Sequence, residues 1–174
     1  MNIDTLIKRH IRDVADFPKQ GIDFKDISGI FSQPDVSRQV IEAFRQHAQG
    51  EIDVVCGVES RGFIFGFPIA LALHVPFVLV RKKGKLPPPT KTVFYDLEYG
   101  SAALEIVEGQ IPPNSRVMIH DDVLATGGTA NAAAELVNSL GATVTQFSFL
   151  IELSFLHGKD KLPPIEVVSL AKYQ

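Results

Sequence analysis

The chain predicts an α/β fold with a mainly parallel sheet flanked by helices, and the spacing of its apolar residues carries that expectation. Four apolar runs of strand length recur, Asp53–Gly57, Phe77–Val80, Arg116–His120 and Val144–Leu150, with stretches of helical spacing between them. Runs that stay apolar instead of alternating belong to strands buried on both faces, as in a sheet covered by helices on each side. At 174 residues and 45% hydrophobic content, the chain is long enough to bury the core of one domain. Ligands of such sheets bind beyond the C-terminal ends of the strands, so the chemistry is expected in the loops that follow them.

Taken in order, the first ten residues carry charge too early and too often for a secretory signal. Ser37–His47 places Val40, Ile41 and Phe44 at helical spacing behind Asp35 or Ser37 as a cap. Residues 62–80 contain no Asp, Glu, Lys or Arg and are long enough to span a bilayer. Gly62, Gly66, Pro68, His74 and Pro76 interrupt them, however, and Pro76 divides them into a helix-sized and a strand-sized piece. A buried α/β element is therefore expected there, and no membrane association. Residues 82–109 break the pattern: a basic, proline-containing stretch, Lys82–Pro89, leads into Lys91–Leu97 and Ala102–Val107, which reads as a β-hairpin lid. Ala130–Leu140 is an Ala-rich helix with Gly141 placed as its C-cap. With no repeat and no linker, residues 1–174 are expected to form a single domain.

Charge narrows the function classes. Seventeen Lys plus Arg stand against 20 Asp plus Glu, a formal charge of −3, and no basic block supplies the concentrated surface that phosphate-backbone binding needs. No nucleic-acid partner is expected. A single cysteine, Cys56, permits no internal disulfide and no Cys-ligated metal framework, which points to a reducing cytoplasm.

The most informative segment runs from Arg116 to Thr129: a hydrophobic strand, the acids Asp121 and Asp122, and then Val123-Leu124-Ala125-Thr126-Gly127-Gly128-Thr129 opening a helix. Gly127 and Gly128 let backbone N–H groups approach an anion, Thr126 and Thr129 add hydroxyls, and the helix aims its free N–H groups and positive dipole end at the same point. The glycine spacing is not that of a dinucleotide fingerprint, and the lysine of a Walker loop is missing. Two carboxylates beside a phosphate repel it unless they face donors of their own, and vicinal sugar hydroxyls suit them. The implied ligand is a phosphorylated sugar.

This segment resembles the phosphoribosyl-pyrophosphate motif of type I phosphoribosyltransferases, and nearly the whole chain is similar to the adenine-using members of that family. Supporting stretches are Asp16–Ser28, Glu59–Gly66, Val80–Pro87 and Leu97-Glu98-Tyr99-Gly100. The resemblance implies a type I phosphoribosyltransferase fold with a β-hairpin lid and an N-terminal base-binding segment over about residues 1–35. It also implies transfer of phosphoribose from phosphoribosyl pyrophosphate to adenine, giving AMP and pyrophosphate, by a homodimer. Magnesium would be carried on the substrate and its waters, with no direct protein ligand, since no ligand cluster stands out in the sequence.

Residue roles follow from this likeness. The loop Ala125–Thr129 would anchor the 5′-phosphate, and Asp121 and Asp122 would hold the ribose. Arg61 with Ser60 would cradle pyrophosphate, a planar fork suited to bidentate contact. On the residues alone, Arg61 reads equally as a surface helix-start residue. Lys82, Lys83 and Lys85 follow the strand Phe77–Val80, which puts them near the same anion, with a solvated face as the alternative for this charge run; by resemblance Lys85 and Arg81 are the stronger candidates, and some family members reach such residues across a dimer interface. Phe24, which by itself reads as a core aromatic, would stack on adenine with Lys25 beside it and Leu153 as a second wall, stacking being worth roughly 1 to 3 kcal/mol. Asp23 and Lys25 depart from the apolar residue and arginine more usual in the family. Glu98 would handle the purine proton, Tyr99 would contact substrate, and the alternative for Glu98 is an exposed hairpin acid. Two other functions remain on these residues: transfer to xanthine or hypoxanthine, and a non-catalytic sensor of phosphoribosyl pyrophosphate.

Overall fold

The computed structural model describes residues 2–96 and 101–174. In chain order the elements are α1 (Ile3–His10), β1 (Arg12–Val14), β2 (Phe24–Asp26), α2 (Ser28–Phe31), α3 (Pro34–Gln46), β3 (Val54–Val58), α4 (Gly62–Leu73), β4 (Phe77–Lys82), β5 (Thr90–Asp96), β6 (Ser101–Val107), β7 (Arg116–Leu124), α5 (Gly128–Ser139), β8 (Thr143–Leu153) and β9 (Glu166–Tyr173). The main sheet runs β5-β6-β4-β3-β7-β8-β9. Strands β4, β3, β7, β8 and β9 are parallel, and the β5–β6 hairpin joins antiparallel through β6 against β4.

The four apolar runs expected as strands are present as β3, β4, β7 and β8, and each extends further at its C-terminal end; the hairpin strands β5 and β6 each begin one residue earlier than expected. The extension matters most in β7, which continues through Asp121 and Asp122 to Leu124, so the acids lie on the strand and not in the loop after it. Helix α5 likewise begins at Gly128, earlier than Ala130, which brings Gly128 and Thr129 into its first turn. Gly141 follows that helix at φ +78°, the left-handed position of a C-terminal glycine. Neither expected cap on α3 is one: the helix starts at Pro34 behind Gln33, Asp35 pairs with Arg38, and the Ser37 hydroxyl donates to the Ile30 carbonyl. Proline at the first position explains the earlier start, because its fixed φ and missing N–H suit that place.

Elements without a clear signal were α1, the β1–β2 ribbon and β9. Helix α1 is capped by Asn2, whose side chain accepts the Asp4 N–H at 2.9 Å. The ribbon pairs charged residues and leaves little apolar alternation to read. In β9 the polar residues Ser169 and Lys172 interrupt the apolar pattern, and partnership with β8 supplies its hydrogen bonds.

Two apolar clusters fill the two sides of the sheet. One gathers Ile119, Phe147 and Phe149 with Ala133 and Val137 of α5; the other gathers Val55, Met118 and Leu150 with Phe44 of α3 and Phe65 of α4. Helices therefore cover both faces, as the uninterrupted apolar strands require. Among the described residues no helix is long and apolar enough to cross a membrane; residues 62–80 supply α4 and most of β4. At the N-terminal edge, Arg116 donates from its backbone N–H, Nε and Nη2 to the Asp53 carboxylate, each at 2.8 Å, and this fork starts β3 and β7 level with each other. Arg116 holds the Asp53 carboxyl well below the usual carboxylate range.

His120, on β7 just before the acids, is fully buried with its ring edge against Phe44 at 4.9 Å between centroids. Burial pushes it from 6.5 down to about 3, against a smaller upward pull from the Ser148 backbone. Between those values the unfolded chain binds the proton that the folded chain refuses, so this group lowers stability as pH falls from 6.5 toward 3. At pH 5 the cost is about 2 kcal/mol. Asp121 and Asp122, whose carboxyls are raised, act with the opposite sign. Urea unfolding at pH 7 and pH 5 should therefore show a larger loss for the wild type than for His120→Leu; parallel losses would remove His120 as the cause.

Candidate active site

The loops after β3 and β7 open onto one cavity of about 470 Å³ at the C-terminal edge of the sheet. From the first loop come Glu59, Ser60 and Arg61; from β7 and its loop come Asp121, Asp122, Ala125 and Thr129. The two helices that follow, α4 and α5, both point their N-termini at this edge. Gly62 allows the first of these to sit directly on β7, since a Cβ there would lie 2.9 Å from the His120 carbonyl oxygen and 3.0 Å from Asp121 Oδ1.

The second loop forms a smaller concavity of about 80 Å³ lined by Thr126, Gly127 and Gly128 together with Asp121, Ala125 and Thr129. Gly127 at φ +81° turns the chain into α5. Its shape is held from behind by the short turn Gly158–Lys161: a Cβ on Gly158 would stand 2.0 Å from the Ala125 carbonyl oxygen, and one on Gly127 would stand 2.2 Å from the Gly158 carbonyl oxygen. Backbone crosses backbone there, which only paired glycines permit. The unpaired N–H groups of the first turn of α5 are thus kept facing the concavity, an arrangement that binds anions.

Charge is distributed unevenly. Asp122 is buried and lies 2.8 Å from Arg61 Nε, a close ion pair without the alignment of a hydrogen bond. Asp121 turns its Oδ1 to the Asp122 N–H at 2.8 Å. Burial and the neighbouring Asp122 charge push the Asp121 carboxyl well above its usual range; burial also raises Asp122, with Arg61 pulling it back. The pair opens onto the cavity, and a ligand supplying positive charge or hydroxyl donors there stabilises its ionised form. Among the described residues no group of three or more His, Cys, Asp or Glu is arranged to hold a metal.

Arg61 reaches a second partner, the ring of Phe24, with its guanidinium carbon 4.9 Å from the centroid. Phe24 also meets Phe17 edge-on at 5.2 Å and lines a separate cavity of about 210 Å³ with Arg12, Val14 and Asp26. One arginine therefore links the aromatic of the N-terminal segment to an acid of the central strand.

Several expected site residues lie elsewhere. Lys25 points away from Phe24, pairing with Asp13 at 2.7 Å and lying 4.4 Å from the Tyr173 ring centroid, because alternate residues of a strand face opposite sides. Leu153 ends β8, half-buried against the α3–α4 cluster, and lines neither cavity. Arg81 donates to Glu59 at 2.9 Å and to the Lys85 carbonyl at 3.0 Å instead of lining the cavity, and the Lys85 side chain is exposed. Glu98 and Tyr99 lie outside the described residues. Lys82, one of the three lysines expected near the anion, does line the cavity, and Glu59 and Tyr95 line it without having been singled out. Tyr95 brings its hydroxyl within 3.4 Å of Thr129 Oγ1, joining the β5–β6 hairpin to the first turn of α5. Only the basic run had marked Lys82, and a run does not tell which lysine faces inward.

Comparison with known proteins agrees with this geometry. Residues 28–168 match the phosphoribosyl transferase domain family. The chain belongs to the phosphoribosyltransferase family. Among its relatives, the adenine phosphoribosyltransferase of Thermobifida fusca is 48% identical over 171 residues, covering 98% of this chain and 97% of its own. The crystal structure of adenine phosphoribosyltransferase from Thermoanaerobacter pseudethanolicus superposes with a TM-score of 0.93 at 46% identity, over 96% of this chain and 98% of that one. The Saccharomyces cerevisiae adenine phosphoribosyltransferase, complexed with an imino-altritol bisphosphate and adenine, gives 0.92 at 43% identity, over 97% and 98%. The expected family and fold are thereby established for this phosphoribosyltransferase.

Proposed function

We propose that this chain transfers the 5-phosphoribosyl group of phosphoribosyl pyrophosphate to adenine, giving AMP and pyrophosphate in purine salvage. The observation that carries the reading is the convergence of two helix-opening loops, 59–62 and 125–129, on one cavity with Asp121 and Asp122 between them. That arrangement provides two anion cradles separated by acids, which matches a pentose bearing phosphate at one end and pyrophosphate at the other.

In the reaction the bond from the anomeric carbon to pyrophosphate breaks, the bond to purine N9 forms, and positive charge builds on the ribose. Residues 125–129 would hold the 5′-phosphate and so orient the sugar. Asp121 and Asp122 would accept the ribose hydroxyls and favour the developing cation. Arg61, already beside Asp122, would exchange that contact for the departing pyrophosphate, and Lys82 lines the same wall. Phe24 supports adenine by stacking, once Arg61 has left its face. Glu98 would take the purine proton at the N7 side so that N9 can attack, and closure of the hairpin over residues 82–109 would exclude water from the cationic sugar. Magnesium suits the raised acid pair as a cation carried on substrate oxygens and water, and when bound it neutralises pyrophosphate charge.

The active unit is proposed to be a homodimer. Helix α4 supports this, for Ile64, Phe67 and Leu71 lie on one stripe and stay 43%, 51% and 58% exposed. A cytoplasmic setting accords with the single, fully buried thiol of Cys56.

Pyrophosphate release should be measured from phosphoribosyl pyrophosphate with adenine, guanine, hypoxanthine and xanthine, with and without Mg2+. Release with adenine and metal is expected; a preference for an oxopurine, or no release at all, would overturn the reading. Glu98→Gln should lower kcat by roughly 10² to 10⁴, the usual contribution of a positioned acid or base, with little change in phosphoribosyl-pyrophosphate binding. Near-normal turnover would remove Glu98 from proton transfer. In sedimentation, the wild type should run as two chains and Phe67→Glu as one; a monomeric wild type would refute the dimer.

A further inference from the structure

We propose that Glu105 is a positioning residue for the pyrophosphate end of the site, holding the basic turn between β4 and β5 so that Lys82 is presented to the main cavity; this deepens the transfer reaction proposed above and rests on it. Glu105 lies on β6 and is 3% exposed, a rare state for a carboxylate. Its Oε1 accepts the Lys85 N–H and the Leu86 N–H, both at 2.9 Å, and its Oε2 accepts the Thr90 hydroxyl at 3.3 Å. Burial works to raise its carboxyl value, and the peptide N–H groups of Leu86, Gly84 and Lys85 more than offset that, so the group stays ionised.

Directly across the antiparallel register from Glu105 is Arg81. Its Nη1 donates to the Lys85 carbonyl at 3.0 Å, so the peptide unit joining Lys85 to Leu86 is gripped at both ends, its C=O by Arg81 and its N–H by Glu105. Arg81 Nε also donates to Glu59 Oε2 at 2.9 Å, and the same oxygen accepts the Lys82 N–H at 3.0 Å. An acid, a base and a second acid thus tie the basic turn to the loop that carries Arg61. Lys82 and its register partner Leu104 line the cavity beside this network.

Removing the Glu105 carboxylate leaves two peptide donors without their acceptor and releases one side of the turn, which pivots at Gly84 with φ +85°. The elements that hold Arg61, Asp121, Asp122 and residues 125–129 do not depend on it. The loss should therefore fall on one end of one substrate. A displacement of this kind away from the reacting atoms costs about tenfold or more.

The test is steady-state kinetics on the full chain. Glu105→Ala should raise KM for phosphoribosyl pyrophosphate about tenfold while KM for adenine stays within about twofold. Glu105→Gln, whose carbonyl oxygen still accepts both N–H groups, should recover most of the difference. Gly84→Ala strains the exposed turn without touching the core and should give the same selective signature, and it carries the test together with Glu105→Gln if Glu105→Ala does not fold. Unchanged KM for phosphoribosyl pyrophosphate, a parallel rise in both KM values, or no recovery by Glu105→Gln would overturn the proposal. Titration of inorganic pyrophosphate with Mg2+ by calorimetry reads the same contrast without turnover, so a wild type that releases nothing with any purine counts against the transfer reaction and leaves this inference decidable. Weaker pyrophosphate binding in Glu105→Ala and Gly84→Ala, largely recovered in Glu105→Gln, supports it, and binding equal to the wild type in Glu105→Ala and Gly84→Ala sinks it.

Discussion

Asp121 and Asp122 set two neighbouring carboxylates on β7 just before its end, and burial makes their charge costly unless cations or hydroxyl donors meet them. Arg61 pairs directly with Asp122 and reaches Asp121 only through its charge. This unequal balance organises its surroundings: α4 comes close enough through Gly62 to deliver Arg61, and α5 begins immediately beyond with its N–H groups facing the same space. Oriented amides contribute fixed partial positive charge without adding a side chain, so the site attracts anions at its ends while keeping its acids in the middle. A ligand negative at both ends and hydroxylated between them complements that pattern.

The cavity wall opposite the acids is built by a different logic. Its cation Lys82 ends β4 beside a turn that has no core of its own, and what fixes that turn is a network of carboxylates and one guanidinium. Arg81 spends its donors inside that network, which explains why it does not line the cavity. On the side of the N-terminal segment, Arg61 bridges Phe24 and Asp122, so the aromatic ring and the acid of β7 share one side chain. The Phe24 strand is fastened on its other face by Lys25, which pairs with Asp13 and packs on Tyr173.

Much of this was legible in the residues because the signals were local. Apolar runs located β3, β4, β7 and β8, and the step from a strand through two acids to a Gly-Gly turn located the concavity at the start of α5, since both depend on neighbours in sequence. Where the reading missed, the cause was long-range. Nothing near Glu166–Tyr173 announces a strand until β8 lies beside it. Nothing near Lys82, Arg81 or Lys85 tells which of the three faces the cavity, because Glu59 and Glu105, 20 or more positions away, decide it.

By itself the sequence determined the class of fold, the positions of β3, β4, β7 and β8 along the chain, and the two helix-opening loops that line the cavity, because periodicity, glycine placement and acid spacing act within a few residues. Only the tertiary structure decided that Lys25 turns away from Phe24 onto Tyr173, that Leu153 belongs to the core wall, that Tyr95 reaches Thr129, and that Glu105 is buried. Those outcomes depend on strand register and on which side of the pleat each residue falls, and register is set by partners far away along the chain.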